Sequence, residues 1–231
     1  MEISAEKTKL MTNNTSGIKK EFKVSGQKLE TITSSKYLGS FVSGEGSKLD
    51  ILPRTAQATA ALTRLKPVWN DRTISLSSKT RHMRSLATSI FLCARESWTL
   101  IAELQRRIRA MEMRCYRKIL RISYKDNVTN EEVCAKIQRA IVPHEDLLTI
   151  VYIRKLKWYG HVSRSLGLTK TILQGTVKGG RRQGRQKKRL KDNIKELTGL
   201  EFAKSQRAVE KEKNAGNWLR SHLCCPNDPC G

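Results

Sequence analysis

Residues 100–120 read LIAELQRRIRAMEMRCYRKIL and form the clearest helical pattern of the chain. Apolar side chains recur there at steps of three or four residues, at Leu100, Leu104, Ile108, Met111, Cys115 and Ile119. That spacing puts them on one face of a helix, and the face is predicted to be core. Six arginines lie largely off this stripe: Arg106, Arg107, Arg109, Arg114, Arg117 and Arg121. With Glu103 and Glu112 as the only nearby acids, the pattern favours a phosphate-binding face over a merely solvated one.

Two further helices are predicted before this stretch. Apolar positions from residue 51 to 65 predict a helix that begins near Asp50 and stops at Lys66-Pro67, because proline interrupts the helical ladder. A second helix is predicted over residues 76–94. Its buried face is expected to consist of Met83, Leu86, Ile90 and Ala94.

Four further helices are predicted after residue 120. Thr129, three residues before Glu132, is typical of a capping box and predicts a short helix that ends before residue 143. The next helix is marked by Leu148, Tyr152, Leu156 and Tyr159, and it carries Arg154, Lys155 and Lys157. Residues 191–197 and 201–213 then predict a helical hairpin that is broken at Gly199.

Residues 1–47 are rich in Ser, Thr, Gly and Lys and contain short alternating stretches at 21–24 and 29–33. They predict a small β segment with turns at Gly17, at Gly26 and across 44–46. The predicted fold is therefore mainly α, with a small N-terminal β-hairpin element, a helical bundle and a basic C-terminal helical hairpin. The predicted divisions fall at 1–47, 48–174, a basic flexible linker at 175–189, and a hairpin with its tail at 190–231.

The charge balance points to a polyanionic partner. The chain holds 45 Lys and Arg against 21 Asp and Glu, a formal net charge of +24, and ordinary domains seldom carry so large an excess. No secretory or membrane-spanning segment is recognised in the sequence. The spacing of the six cysteines does not match a zinc-binding pattern. No metal site is therefore predicted, and this includes the C-terminal group His222, Cys224, Cys225 and Cys230. We expect a location in the nucleus and/or the cytoplasm.

Residues 178–191 read KGGRRQGRQKKRLK and contain eight basic residues and no acid. Such a run can bind phosphates, serve as a nuclear-localisation patch or act as a solvated linker, and these uses are compatible. Phosphate binding is the favoured interpretation. The candidate contacts are Lys178, Arg181, Arg182, Arg185, Lys187, Lys188 and Arg189.

The order of five short motifs carries a family resemblance. They are KTKL at 7–10, SKYLGS at 35–40, CARESWTL at 93–100, RKLKWYGHV at 154–162 and the basic run. Together they resemble the later part of the reverse transcriptases of non-LTR (LINE-type) retrotransposons, the endonuclease–reverse transcriptases. The resemblance covers nearly the whole chain.

The resemblance implies roles for particular residues. Lys7 would correspond to the motif D lysine that assists nucleotide addition, with a solvated lysine as the alternative. Tyr37 and Gly39 would belong to the primer grip, where Tyr37 either contacts the sugar-phosphate backbone or packs in the turn. Residues 1–47 would be a palm remnant, and 48–174 a thumb-like bundle that holds a template–primer duplex of RNA and/or DNA.

The resemblance also implies what to expect of catalysis. The family's polymerase site needs an adjacent aspartate pair that binds Mg²⁺, and no Asp-Asp occurs in this chain. The chain alone is therefore predicted to be inactive and to need no cofactor. The full-length family enzyme would need Mg²⁺. The catalytic half of such an enzyme is expected upstream of Met1. Two alternatives stay open: a stand-alone basic nucleic-acid-binding protein derived from a retroelement, and a helical protein-interaction adaptor.

Overall fold

The computed structural model describes residues 8–11, 22–24, 26–37, 40–43, 47–91, 98–141, 145–165, 168–174 and 188–211. About 70% of these residues are helical, and the strands are short and lie in the N-terminal part. The prediction of a mainly α fold is confirmed.

The described strands of the N-terminal part form three two-stranded sheets. They are β1 (Lys9–Met11), β2 (Lys23–Val24), β3 (Gln27–Lys28), β4 (Glu30–Ile32), β5 (Ser34–Tyr37) and β6 (Ser40–Ser43). β1 runs parallel to β4, whereas β2–β3 and β5–β6 are antiparallel pairs. Gly26 has a φ of +80° between β2 and β3, a conformation that glycine adopts without strain, so the predicted turn at this position is confirmed. Gly17, Gly44 and Gly46 lie outside the described residues.

The helices follow from residue 48 onward. They are α1 (Lys48–Arg64), α2 (Lys66–Asn70), α3 (Leu76–Phe91), α4 (Ala102–Leu120), α5 (Asn130–Ala140), α6 (Leu147–Arg164), α7 (Leu168–Gln174), α8 (Leu190–Thr198) and α9 (Phe202–Lys211). α1 ends before Lys66-Pro67 as predicted, but a one-turn helix, α2, begins there because proline is tolerated in the first turn of a helix. Thr129 caps α5 by accepting from the Glu132 N–H at 3.3 Å, so the predicted start of that helix is confirmed.

α4 is the central element of the bundle. All six residues of the predicted apolar stripe are at most 4% exposed, and α1, α3, α5 and α6 pack against this helix. Burying a side chain of this size stabilises a fold by roughly 1.5–3 kcal/mol. Burial of this stripe therefore stabilises the packing of the neighbouring helices around α4.

A buried polar cluster fixes the start of α1 against the segment before α4. The Asp50 carboxylate accepts from the Trp98 indole N–H at 2.7 Å and from Arg54 Nε at 3.0 Å. Arg54 also donates to the Ile90 carbonyl at 2.9 Å, and the Trp98 ring packs edge-on against Phe91 at 6.1 Å. The buried ion pair is thus surrounded by hydrogen-bond donors and acceptors, as buried charges require.

The short helix α2 has its C-terminal carbonyls satisfied by two cations. Lys79 Nζ donates to the carbonyl of Trp69 at 3.0 Å and also to that of Asp71. Arg121, in the left-handed conformation just after α4, donates to the carbonyls of Trp69 and Asn70. Cations are favoured here because the last carbonyls of a helix have no partner within the helix.

The buried face of α3 agrees with the prediction at Met83 and differs from it at Leu86 and Ile90, which pack only at the edge of the core. Thr80, Met83, Ala87 and Phe91 are almost fully buried, whereas Leu86 and Ile90 are half-buried. The face is rotated because α3 packs against both α1 and α4, so two adjoining stripes of the helix are covered. Ala94 lies outside the described residues.

The predicted hairpin of α8 and α9 is confirmed, with Gly199 at a φ of +65° as the C-cap of α8. This hairpin packs on α6, and its residues Ile194 and Leu197 join the same apolar core as α1 and α4. In the C-terminal half of α6, the Tyr159 hydroxyl lies 3.0 Å from the hydroxyl of Ser205 in α9. No helix in the described part of the chain is long and apolar enough to cross a membrane.

Candidate nucleic-acid interface

A cationic groove runs along the outer side of α4, between that helix, α5 and the start of α6. It has a volume of about 630 Å³. Among the described residues, five basic side chains line it: Arg106, Arg109, Arg114, Arg117 and Lys118. We refer to it below as the α4 groove.

The sequence of α4 creates the groove because the helix is amphipathic. Its apolar stripe is directed into the bundle, which leaves residues at spacings of three and four from Arg106 on the outer side. Arg106 and Arg114 are exposed. Among the described residues, neither has an acidic side chain within ion-pair distance. Both guanidinium groups are therefore available to an anionic ligand.

Specific partners within the fold are identified for three of the six predicted arginines: Arg107, Arg117 and Arg121. Arg107 pairs with Glu103 one turn earlier at 2.8 Å, and Arg121 donates, together with Lys79, to the carbonyls at the end of α2. Neither lines the α4 groove. Arg117 lines it but also donates to the Val128 carbonyl at 2.7 Å and to Asn130 Oδ1 at 3.0 Å, which ties α4 to the start of α5.

Lys118 is a groove residue that sequence reasoning missed. Its Nζ donates to the Thr63 hydroxyl at 2.8 Å, so it lies where α1 approaches the edge of the groove. The signal was present in the sequence, because Lys118 follows Arg114 by one helical turn.

Two acids also line the groove, and one of them has a shifted pKa. The Glu112 side chain is almost completely buried and accepts from the Tyr116 hydroxyl at 2.7 Å and from the Leu147 N–H at 2.9 Å. Burial raises the pKa of Glu112 to about 7, the Tyr116 hydrogen bond opposes the rise, and the nearby Asp146 carboxylate adds to it. Near neutral pH this carboxyl is therefore partly protonated and contributes less negative charge to the groove.

Asp146, the other acid, caps α6 by accepting from the Thr149 N–H at 3.3 Å. Five basic residues against two acids leave the groove with an excess of positive charge, even when both acids are ionised.

The structure describes only part of the other predicted sites. Lys188 pairs with Glu196 at 2.5 Å, and the backbone N–H of Arg189 donates to Asp192 at 2.7 Å at the start of α8. The other predicted residues of the basic run, Lys178, Arg181, Arg182, Arg185 and Lys187, lie outside the described residues, as do Lys7 and Gly39. Tyr37 ends β5, where its backbone is in register with Ser40 of β6.

In the described ranges, no group of three or more His, Cys, Asp and Glu side chains is arranged to hold a metal ion. Comparison of the chain with protein-family models, with curated proteins and with solved structures gives no match.

Proposed function

We propose that this protein binds the sugar-phosphate backbone of a nucleic-acid duplex in the α4 groove. We further propose that it corresponds to the duplex-holding part of a non-LTR retrotransposon RNA-directed DNA polymerase. The observation that carries the proposal is the line of basic side chains along the outer side of α4, opposite its buried stripe. Phosphates are the ligands that such a surface binds without reading base sequence.

The dimensions of the groove fit a backbone. Arg106 and Arg117 are eleven residues apart on α4, which corresponds to about 16 Å along the helix axis at 1.5 Å per residue. A duplex advances about 3.4 Å per base pair. The line of basic side chains is therefore long enough to contact more than one phosphate of a backbone that lies along it.

The positive charge outside the groove also supports a nucleic acid as the partner. The formal net charge of +24 attracts any polyanion and accelerates its association. The basic run extends into the first turn of α8, where Lys191 lies, and α8 is anchored in the core through Ile194 and Leu197. The run is therefore tethered to the bundle at its C-terminal end and would add contacts of low sequence specificity.

The polymerase relationship rests on the order of the five motifs. It implies a role in holding template and primer rather than in extending the primer. The Mg²⁺ ions of such an enzyme are bound by clustered carboxylates; the described residues supply no such cluster, and we assign no metal-dependent step to them. A primer-extension assay on the purified chain is expected to give no templated incorporation of nucleotides.

The groove is tested by removing its two exposed arginines together. Arg106→Gln/Arg114→Gln is expected to weaken binding to a fluorescent RNA–DNA hybrid and to lower the salt dependence of that binding. Each lost phosphate contact reduces the slope of log K against log salt by about 0.9. The double variant is therefore expected to lose about 1.8 from the slope, measured by anisotropy titrations at several salt concentrations.

The matched control is Lys204→Gln/Arg207→Gln, which removes the same charge from two exposed positions of α9 away from the groove. This variant is expected to keep nearly the wild-type slope. An equal reduction in both double variants would mean that binding is diffuse and not localised in the groove. A wild-type affinity that does not change with salt would overturn nucleic-acid binding altogether.

A second candidate function, a stand-alone basic nucleic-acid-binding protein, is favoured by one observation. In the part of the chain that the structure describes, one large apolar cluster includes residues of α1, α3, α4, α5, α6 and α8. Such a core would let the bundle fold without another domain.

A further inference from the structure

We propose that Tyr124 stacks against an unpaired base at the end of the α4 groove, so that the preferred ligand is a duplex with a single-stranded extension. This inference rests on the proposed function and specifies its ligand. Tyr124 is 84% exposed, the largest exposure among the large apolar and aromatic side chains of the described residues. Most of the surface of this residue is therefore open to a partner.

A short, well-determined turn presents this ring. Tyr124 begins a one-turn 3₁₀ helix, Tyr124–Asp126, which Ser123 caps reciprocally with Asp126. The Ser123 N–H donates to Asp126 Oδ2 at 2.6 Å, the Lys125 N–H donates to the Ser123 hydroxyl at 3.4 Å, and Asn127 closes the turn in the left-handed conformation. A ring held on such a turn loses less conformational freedom on binding than one on a flexible loop.

The turn lies at one end of the groove. Ile122 and Asn130, which flank it in sequence, both line the groove. Arg117 closes the loop between them, because its carbonyl accepts from the Ile122 N–H at 2.9 Å and its guanidinium donates to the Val128 carbonyl at 2.7 Å. A strand that leaves the groove at this end therefore passes close to Tyr124.

The charges around the ring suit a nucleotide. Lys125 is the next residue and is exposed, and the Arg117 and Lys118 side chains line the adjoining end of the groove. Asp126 is the one acid of the turn, and its carboxylate accepts the Ser123 N–H. An aromatic ring beside cations is the combination with which proteins bind single strands, since bases stack on the ring while cations contact the phosphates.

Two ligands test the inference: a blunt duplex, and the same duplex extended by a few unpaired nucleotides. Loss of one stacked base lowers affinity by about 5- to 150-fold. Tyr124→Ala is therefore expected to weaken binding of the extended duplex by a factor in this range and to leave binding of the blunt duplex nearly unchanged. Tyr124→Phe keeps the ring and is expected to behave as wild type on both ligands.

A fluorescent base analogue at the first unpaired position gives a direct readout. Its emission is expected to be quenched by the wild type and by Tyr124→Phe, but not by Tyr124→Ala, because stacking on the ring causes the quenching. Phe22→Ala removes another exposed aromatic ring, in the N-terminal part away from the groove. It is the matched control, and it is expected to change neither affinity nor quenching.

The outcomes separate this inference from the proposed function. If the wild type binds the blunt duplex with a steep salt dependence but Tyr124→Ala loses nothing on the extended duplex, the stacking site is wrong and the groove stands. Equal losses on both ligands would also overturn stacking on an unpaired base. If the wild type does not bind the blunt duplex, the proposed function itself fails.

Discussion

At the scale of single residues, two buried ionisable side chains stand out in this very basic protein. Glu112 lies beneath the α4 groove, and Lys155 is fully buried on α6 with its Nζ donating to Asn193 Oδ1 at 3.0 Å and to the Trp98 carbonyl. Burial raises the pKa of Glu112 to about 7 and lowers the pKa of Lys155 to about 7. Both shifts have the same cause, because a low-dielectric interior favours the neutral form of either group.

Glu112→Gln is expected to remove a pH-dependent loss of stability. In the unfolded chain this carboxyl ionises near its ordinary pKa of 4.5, whereas in the folded protein it ionises near 7. Between these values the folded state binds the extra proton, so the free energy of unfolding of the wild type falls as pH rises and levels off above about 7. The effect is about 3 kcal/mol, and the amide at position 112 can still accept both hydrogen bonds.

Urea unfolding at several pH values between about 4.5 and about 8 measures this difference. The variant is expected to gain stability relative to wild type across the window. Glu131→Gln, at an exposed position of α5, is the control and is expected to show no such trend. A difference between Glu112→Gln and wild type that stays constant with pH would contradict the shifted ionisation.

The sequence indicated on which face of its helix Lys155 lies, but not which residues it contacts. The sequence pattern assigned Lys155 to the same helix as Arg154 and Lys157 without assigning it to a face, although its spacing of three from Tyr152 and four from Tyr159 puts it on the buried face of α6. Helical spacing was therefore enough to place Lys155 on that face. Its hydrogen-bond partners, Trp98 and Asn193, are 57 and 38 residues away, and no local pattern could identify them.

At the scale of elements, α8 is held to the bundle by one amide side chain as well as by apolar packing. Asn193 Oδ1 accepts from the Leu100 N–H at 2.8 Å and from Lys155, while Nδ2 donates to the Leu100 carbonyl at 2.9 Å. The segment before α4, the middle of α6 and the start of α8 thus meet at this side chain.

Asn193→Ala is expected to lower the free energy of unfolding by about 2–4 kcal/mol, because it leaves three buried polar groups without this partner. Hydrogen exchange is expected to show reduced protection of α8 and α9 before the rest of the bundle. Lys195→Ala on the same helix is the control. It breaks only the exposed ion pair with Glu201, and such pairs contribute about 0–1 kcal/mol. Equal losses in the two variants would show that Asn193 does not hold α8 in place.

At the scale of the whole molecule, the continuity of the core leads to a prediction about folding. Because one apolar cluster includes residues from α1 to α8, the bundle is expected to unfold in a single cooperative transition. The buried Trp69 and Trp98 report tertiary packing in the near-ultraviolet circular dichroism, and the far-ultraviolet signal reports the helices. The two melting curves are expected to coincide.

This measurement also separates the two candidate functions. A cooperative transition supports a bundle that folds as an independent nucleic-acid-binding protein. A broad transition, or loss of the tryptophan signal before the helical signal, would contradict independent folding. It would favour a segment that needs a larger polymerase to cover part of its surface.

The sequence by itself determined the longer helices, the α8–α9 hairpin, the buried stripe of α4 and the cationic character of its other face, but it predicted neither α2 nor α7. These properties depend on residues one or two turns apart, and helical periodicity records them directly. Only the tertiary structure decided which charged groups are buried, which arginines serve as caps or ion pairs, and where the α4 groove lies relative to the turn that carries Tyr124. Those outcomes depend on contacts between residues far apart in the chain, and a local pattern carries no information about them.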